Sequence, residues 1–185
     1  MKKLTTISLM FGVCLMLTLN VSAQDDATAN HSLNMGIPEV CLIDTDPGAI
    51  SLELTTTEAG AAISGGTGTG YAQVASIVSS GETRTITASI TGVPTGTTLT
   101  VDTSIPTNGN EGGVLGTGST GILLDNGAAA VDLVTGIGSC FTGTNAADGY
   151  VFDYIWDSGA AANYGSIVAT TGSTATVVLT ITDTP

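Results

Sequence analysis

The chain has 185 residues with sixteen acidic and three basic side chains, a formal net charge of -13. A field of that sign repels phosphate backbones and anionic headgroups, which excludes nucleic acid and anionic membrane surfaces as partner classes. With 42% apolar residues against 10% charged ones, an acidic disordered chain is excluded as well.

The amino end comes first. Lys2 and Lys3 precede an apolar run over residues 9–19, and Val21-Ser22-Ala23 supplies the small-residue pattern of a cleavage site. Residues 1–23 therefore read as a secretory signal, too short to span a bilayer, with Gln24 as the first mature residue. Cys14 has no small-residue lipobox before it, so no lipid anchor is expected. The expected destination is the cell surface or the medium, reached through the periplasm, without membrane insertion. Losing Lys2 and Lys3 takes the charge from -13 to -15 and leaves Arg84 as the one remaining Lys or Arg.

Residues 24–30 read as a flexible polar leader, and residues 31–185 as a single β-sandwich domain. Leu33, Met35 and Ile37 alternate with Ser32, Asn34 and Gly36, which predicts a first strand interrupted by Pro38. Residues 40–43 form a short apolar run before the turn Asp44-Thr45-Asp46-Pro47-Gly48. Ile50, Leu52 and Leu54 predict a second half-buried strand, and the Ala/Gly/Ser/Thr-rich residues 58–70 predict a loop. Residues 71–78 and 83–91, joined by Ser79-Ser80-Gly81-Glu82, carry a hairpin signature. Residues 98–102 alternate again, and the glycine- and proline-rich residues 106–121 predict a long connection. Residues 122–124 and 129–134 around Asn126-Gly127 predict another hairpin. Tyr150, Phe152, Tyr154 and Trp156 fall on every second residue and predict the central strand of the core. Ala175, Val177, Leu179 and Ile181 predict the last strand. No period of 3.6 persists, so the fold class expected is all-β, an antiparallel immunoglobulin-like, pilin-like β-sandwich.

Several motifs carry two readings. Cys41 and Cys140 are the cysteines left after cleavage, and export favours a disulfide between them; two buried free thiols are the alternative. Gly116-Thr117-Gly118-Ser119-Thr120-Gly121 matches a dinucleotide fingerprint, but the following Ile122-Leu123-Leu124-Asp125-Asn126-Gly127 cannot open the helix that would hold a pyrophosphate. Asp44 and Asp46 have the spacing that begins a calcium loop, with Thr55 where an EF-hand needs Glu. Asp102, Asp125, Asp148 and Asp157 also stand in predicted turns, where Asp serves equally by bonding its own backbone. The aromatic row could stack sugars if exposed, or fill the core. His31 is the sole histidine and no lysine survives cleavage, so a nucleophile with a basic partner is hard to assemble. No enzyme, no cofactor and no metal site are expected.

His31-Ser32-Leu33-Asn34-Met35-Gly36-Ile37-Pro38-Glu39-Val40, Leu42-Ile43-Asp44, Val134-Thr135-Gly136-Ile137-Gly138 and the closing Thr-rich strand resemble an uncharacterised group of secreted β-rich proteins of Bacteroidetes-type bacteria. More distantly, the chain is similar to pilin and fimbrial subunits. It departs from them in its widely separated cysteines and in lacking a penultimate aromatic. The resemblance implies a structural surface protein, a subunit of an extracellular filament or adhesive assembly. Self-association by strand addition would run through Leu33, Met35 and Ile37. The competing fate of residues 31–37 is to pair within their own sandwich. A β-sandwich module for glycan or calcium is the alternative function.

Overall fold

The computed structural model describes residues 28–56 and 58–184; the expected signal and most of the leader lie outside them. From Ile37 onward the chain forms one compact unit, and residues 28–36 belong to a separate one. Among the described residues eleven strands build two antiparallel sheets, the two-layer all-β sandwich that the alternating pattern predicts.

The larger sheet holds β1 (Val40–Asp46), β2 (Gly66–Ile77), β10 (Tyr150–Asp157), β4 (Thr98–Ser104) and β7 (Ile122–Leu124) side by side. Short β9 (Cys140–Phe141) continues the place of β10 along β2, and β5 (Gly112–Gly113) pairs with β9. The smaller sheet runs β11 (Thr176–Asp183), β3 (Arg84–Thr91), β8 (Val131–Ile137), β6 (Thr117–Gly118). A bulge in the β3–β8 pairing lets consecutive Leu133 and Val134 both face the core.

The aromatic strand is central, as expected, and the reason lies in its neighbours. Tyr150, Phe152, Tyr154 and Trp156 stand opposite Ala72, Gly70, Gly68 and Gly66 of β2. Opposite them on β4, Thr103, Val101 and Leu99 face Phe152, Tyr154 and Trp156. A column of rings thus lies beside a column with almost no side chains, and large against small is how facing rows reach close packing. Tyr150 and Phe152 are fully buried and Tyr154 nearly so, which settles the aromatic row as core. The Tyr150 hydroxyl donates to the Leu115 carbonyl at 2.7 Å, and Trp156 Nε1 donates to Thr97 Oγ1 at 2.9 Å. Burial pushes the Tyr154 hydroxyl up to about 12.

The glycine column explains two departures from the expected elements. Residues 66–70 look like loop because they lack apolar side chains, yet they extend β2, since bare backbone is what the rings require. Ile50 and Leu52 then fill the space above the glycines. A Cβ on Gly68 would lie 2.5 Å from Ile50 Cγ2 and 2.8 Å from Leu52 Cδ2. Residues 50–54 keep their alternating half-burial but form no ladder; the nearest pairing is an isolated bridge between Thr55 and Ser64.

Neither expected hairpin forms. β2 and β3 are consecutive but enter different sheets, and so do β7 and β8. On the β4 flank the layers are stitched by backbone: Ser119 accepts from Thr103 N–H at 2.7 Å and donates to the Leu133 carbonyl at 2.8 Å.

Replacing Gly68 by Ala should displace Ile50 and Leu52 and cost about 1–3 kcal/mol, read as a lower urea midpoint. Gly165→Ala, with no heavy atom within 4 Å of its new methyl, is the control and should leave the midpoint nearly unchanged.

Candidate assembly edge and its clamp

The flank opposite the stitched one is bounded by β1 in the larger sheet and β11 in the smaller, and it is held at one end by Arg84. Arg84 shares the inward parity of Ile86, Ala88 and Ile90 on β3 and is 3% exposed. Its Nε donates to Asp183 Oδ1 at 2.8 Å, directly across the β3–β11 pair. Its Nη1 reaches the other layer, donating to Ser76 Oγ at 3.1 Å, to the Ile77 carbonyl at 3.3 Å and to the Val40 carbonyl. Nη2 lies 3.8 Å from Glu39 Oε2. The hydrogen bond that Arg84 donates to Asp183 outweighs desolvation and raises the guanidinium pKa, so the charge is retained. One cation therefore ties β1, β2, β3 and β11 together. A lone Arg on the apolar parity of a Thr/Ile strand is the signal that marks it in the sequence.

The expected disulfide is corrected here. Cys41 and Cys140 are both free thiols, Cys41 exposed and Cys140 buried. Cys41 and Cys140 pair with the same residue, Ser76, from opposite edges of β2. Two strand spacings put their Cα atoms about 9.5 Å apart, beyond the roughly 7 Å a disulfide allows. The Cys41 thiol instead points at the Ile181 carbonyl, 3.9 Å away. Burial pushes the Cys140 thiol up.

Beyond the clamp the edge of β11 is bare among the described residues, since β3 is its one partner. Thr184 N–H donates to the Thr83 carbonyl at 2.8 Å, which fixes the phase of the β3–β11 ladder. Antiparallel pairs alternate, so residues 176, 178, 180 and 182 turn their backbone groups toward β3, whereas 177, 179, 181 and 183 turn theirs to the free edge. The exposed Ile181 carbonyl facing Cys41 agrees with that phase. Val177, Leu179 and Ile181 are also the side chains that pack on the core, half-buried. Ile43, Ile50 and Leu52 are likewise half-buried against the core.

Residues 31–37 do not form the strand their alternation predicts; residues 28–39 carry no ladder. Leu33, Met35 and Ile37 are 74%, 84% and 82% exposed. Their exposure and the unpaired β11 edge are two unsatisfied features of the described chain.

The acidic turns are used otherwise. Asp148 accepts from Asn108 Nδ2 at 2.9 Å, Asn110 Nδ2 at 3.0 Å, and Asn145 N and Nδ2 at 3.0 and 2.7 Å. These donors, Asn110 foremost, hold its carboxyl below the usual range, and they occupy the lone pairs a cation would need. Asp44 and Asp46 lie within β1 rather than in a turn. Among the described residues no three His, Cys, Asp or Glu side chains gather as a metal site. The Gly116 to Gly121 stretch runs into β7, a strand and not a helix. No described helix is long and apolar enough to cross a membrane.

No protein-family model, curated protein or solved structure matches this chain.

Two measurements check the clamp. Mass counting after alkylation of the chain from Gln24 should find one label in the native state, on Cys41, and two in denaturant; a native count of zero with two after reduction would restore the disulfide. Arg84→Met should lower stability by about 3 kcal/mol, because the Val40 and Ile77 carbonyls lose a charged donor. Urea unfolding reads that loss.

Proposed function

We propose that the chain is a secreted, non-enzymatic structural protein of the cell surface, a subunit of an extracellular filament or adhesive assembly. Copies join by strand addition through residues 31–37. The observation that carries this reading is the exposure of Leu33, Met35 and Ile37 on alternate residues, with no partner strand among the described residues. Three large apolar side chains held in water are unfavourable by about 2 kcal/mol each relative to burial, so a contact that covers them is favoured. An extended segment gains that burial by adding to the sheet edge of a neighbour, where backbone bonds supply affinity and alternate side chains supply fit. Head-to-tail addition continues as an open fibre unless the rotation closes a ring.

Size-exclusion chromatography and negative-stain imaging of the chain beginning at Gln24 should show long polymers, and deletion of residues 24–37 should leave monomers. Polymers from the truncated chain, or a full chain that stays monomeric at high concentration, would overturn the reading.

A further inference from the structure

An eight-residue edge strand with no strand paired to its outer side, where the described residues bring only the Cys41 thiol to the Ile181 carbonyl, is a liability in any sandwich, and in this one it has the dimensions of an acceptor. We propose that the free edge of β11 is the surface that receives residues 31–37 of a second copy; the proposal rests on the strand-addition reading above.

Length narrows the choice. The donor needs at least the five residues from Leu33 to Ile37. Among the described edges β5 and β6 have two residues and β7 has three, while β1 has seven and β11 eight. Side chains then separate β1 from β11. The register of β1 on β2 turns Cys41, Ile43 and Thr45 toward the core, one large apolar residue in three. On β11 the three core-facing residues are Val177, Leu179 and Ile181, all three apolar and half-buried, with part of each side chain left uncovered.

Phase agrees with length. The residues whose N–H and C=O point to the free edge are the same three whose side chains point inward. An added strand whose alternate residues stand opposite them places those residues on the core side. Leu33, Met35 and Ile37 have the matching two-residue step, so they would extend the row that Val177, Leu179 and Ile181 begin, leaving Ser32, Asn34 and Gly36 outside. Either strand direction preserves this match, since faces alternate along both strands.

Charge selects the same pair. The chain from Gln24 carries a formal charge of -15, so most faces of two copies repel. Residues 31–38 contain no Asp or Glu, and neither do residues 176–182. Asp183, the first carboxylate on the edge, is already held by Arg84 at 2.8 Å. Donor and acceptor are thus charge-free surfaces that meet without juxtaposing carboxylates.

The test uses the full chain from Gln24 with one change at each surface. Leu179→Pro removes an N–H that faces the free edge and not β3, a place where an edge strand tolerates proline. L33K with M35K spoils the donor. Each variant alone should be monomeric, and an equimolar mixture should give a discrete 1:1 complex, since each supplies what the other lacks. In assembled wild type, amide exchange at Val177, Leu179 and Ile181 should slow by about tenfold or more relative to the donor variant. Assembly by L33K/M35K overturns the strand-addition reading itself. Assembly by L179P with a native melting curve, or unchanged exchange at those three amides in wild-type polymers, overturns the acceptor alone. Where L179P fails to fold, the exchange measurement on wild type decides.

Discussion

Everything in the larger sheet follows from a size match between two strands. Four aromatic residues on β10 need neighbours that occupy almost no volume, and Gly66, Gly68, Gly70 and Ala72 provide them. Glycine in a strand interior loses chain entropy and packs nothing itself, so the run is unfavourable by local measures. Burial of the rings and of Ile50 and Leu52 outweighs that, at roughly 1.5–3 kcal/mol for each large side chain removed from water. The match also draws residues 50–53 across the inner face of β2, where they cover glycines and contribute no ladder.

The second dependence is electrostatic. A chain with a formal net charge of -13 places the one buried cation among its described residues at the point where the layers would otherwise part. Removing such a charge from water is costly unless several acceptors receive it, and Arg84 has two carboxylates, two carbonyls and a hydroxyl. The clamp also explains why the sandwich needs no disulfide here: the guanidinium already crosses from layer to layer at Ser76, the residue between the two cysteines. The same excess of negative charge restricts which surfaces of two copies can meet. At physiological salt repulsion reaches about 8 Å, so a contact must be locally free of carboxylates. Residues 31–38 and 176–182 contain no carboxylate, and Asp183 at the end of β11 is paired with Arg84.

Alternation alone determined a good part of this protein. Period-two patterning places Ile86, Ala88 and Ile90 inward, marks β11, and identifies the aromatic strand as the centre of the core, because the face a strand residue takes is a local property. The signal-like amino end, the acidity, the lack of any lysine after Lys3 and the single histidine are equally properties of composition. Only the tertiary structure decided which strands are neighbours. Residues 71–78 and 83–91 have the pattern of a hairpin, yet β2 and β3 part into separate sheets, since alternation does not say which edge a strand will meet. Residues 31–37 and 50–54 alternate as well as any strand in the chain and form no ladder, because a ladder needs a second backbone. Residues 66–70 have no pattern and become strand, because the rings opposite them supply the burial they lack. Cys41 and Cys140 invite pairing by count, and the position of Ser76 between them forbids it, a distance that no spacing along the chain encodes.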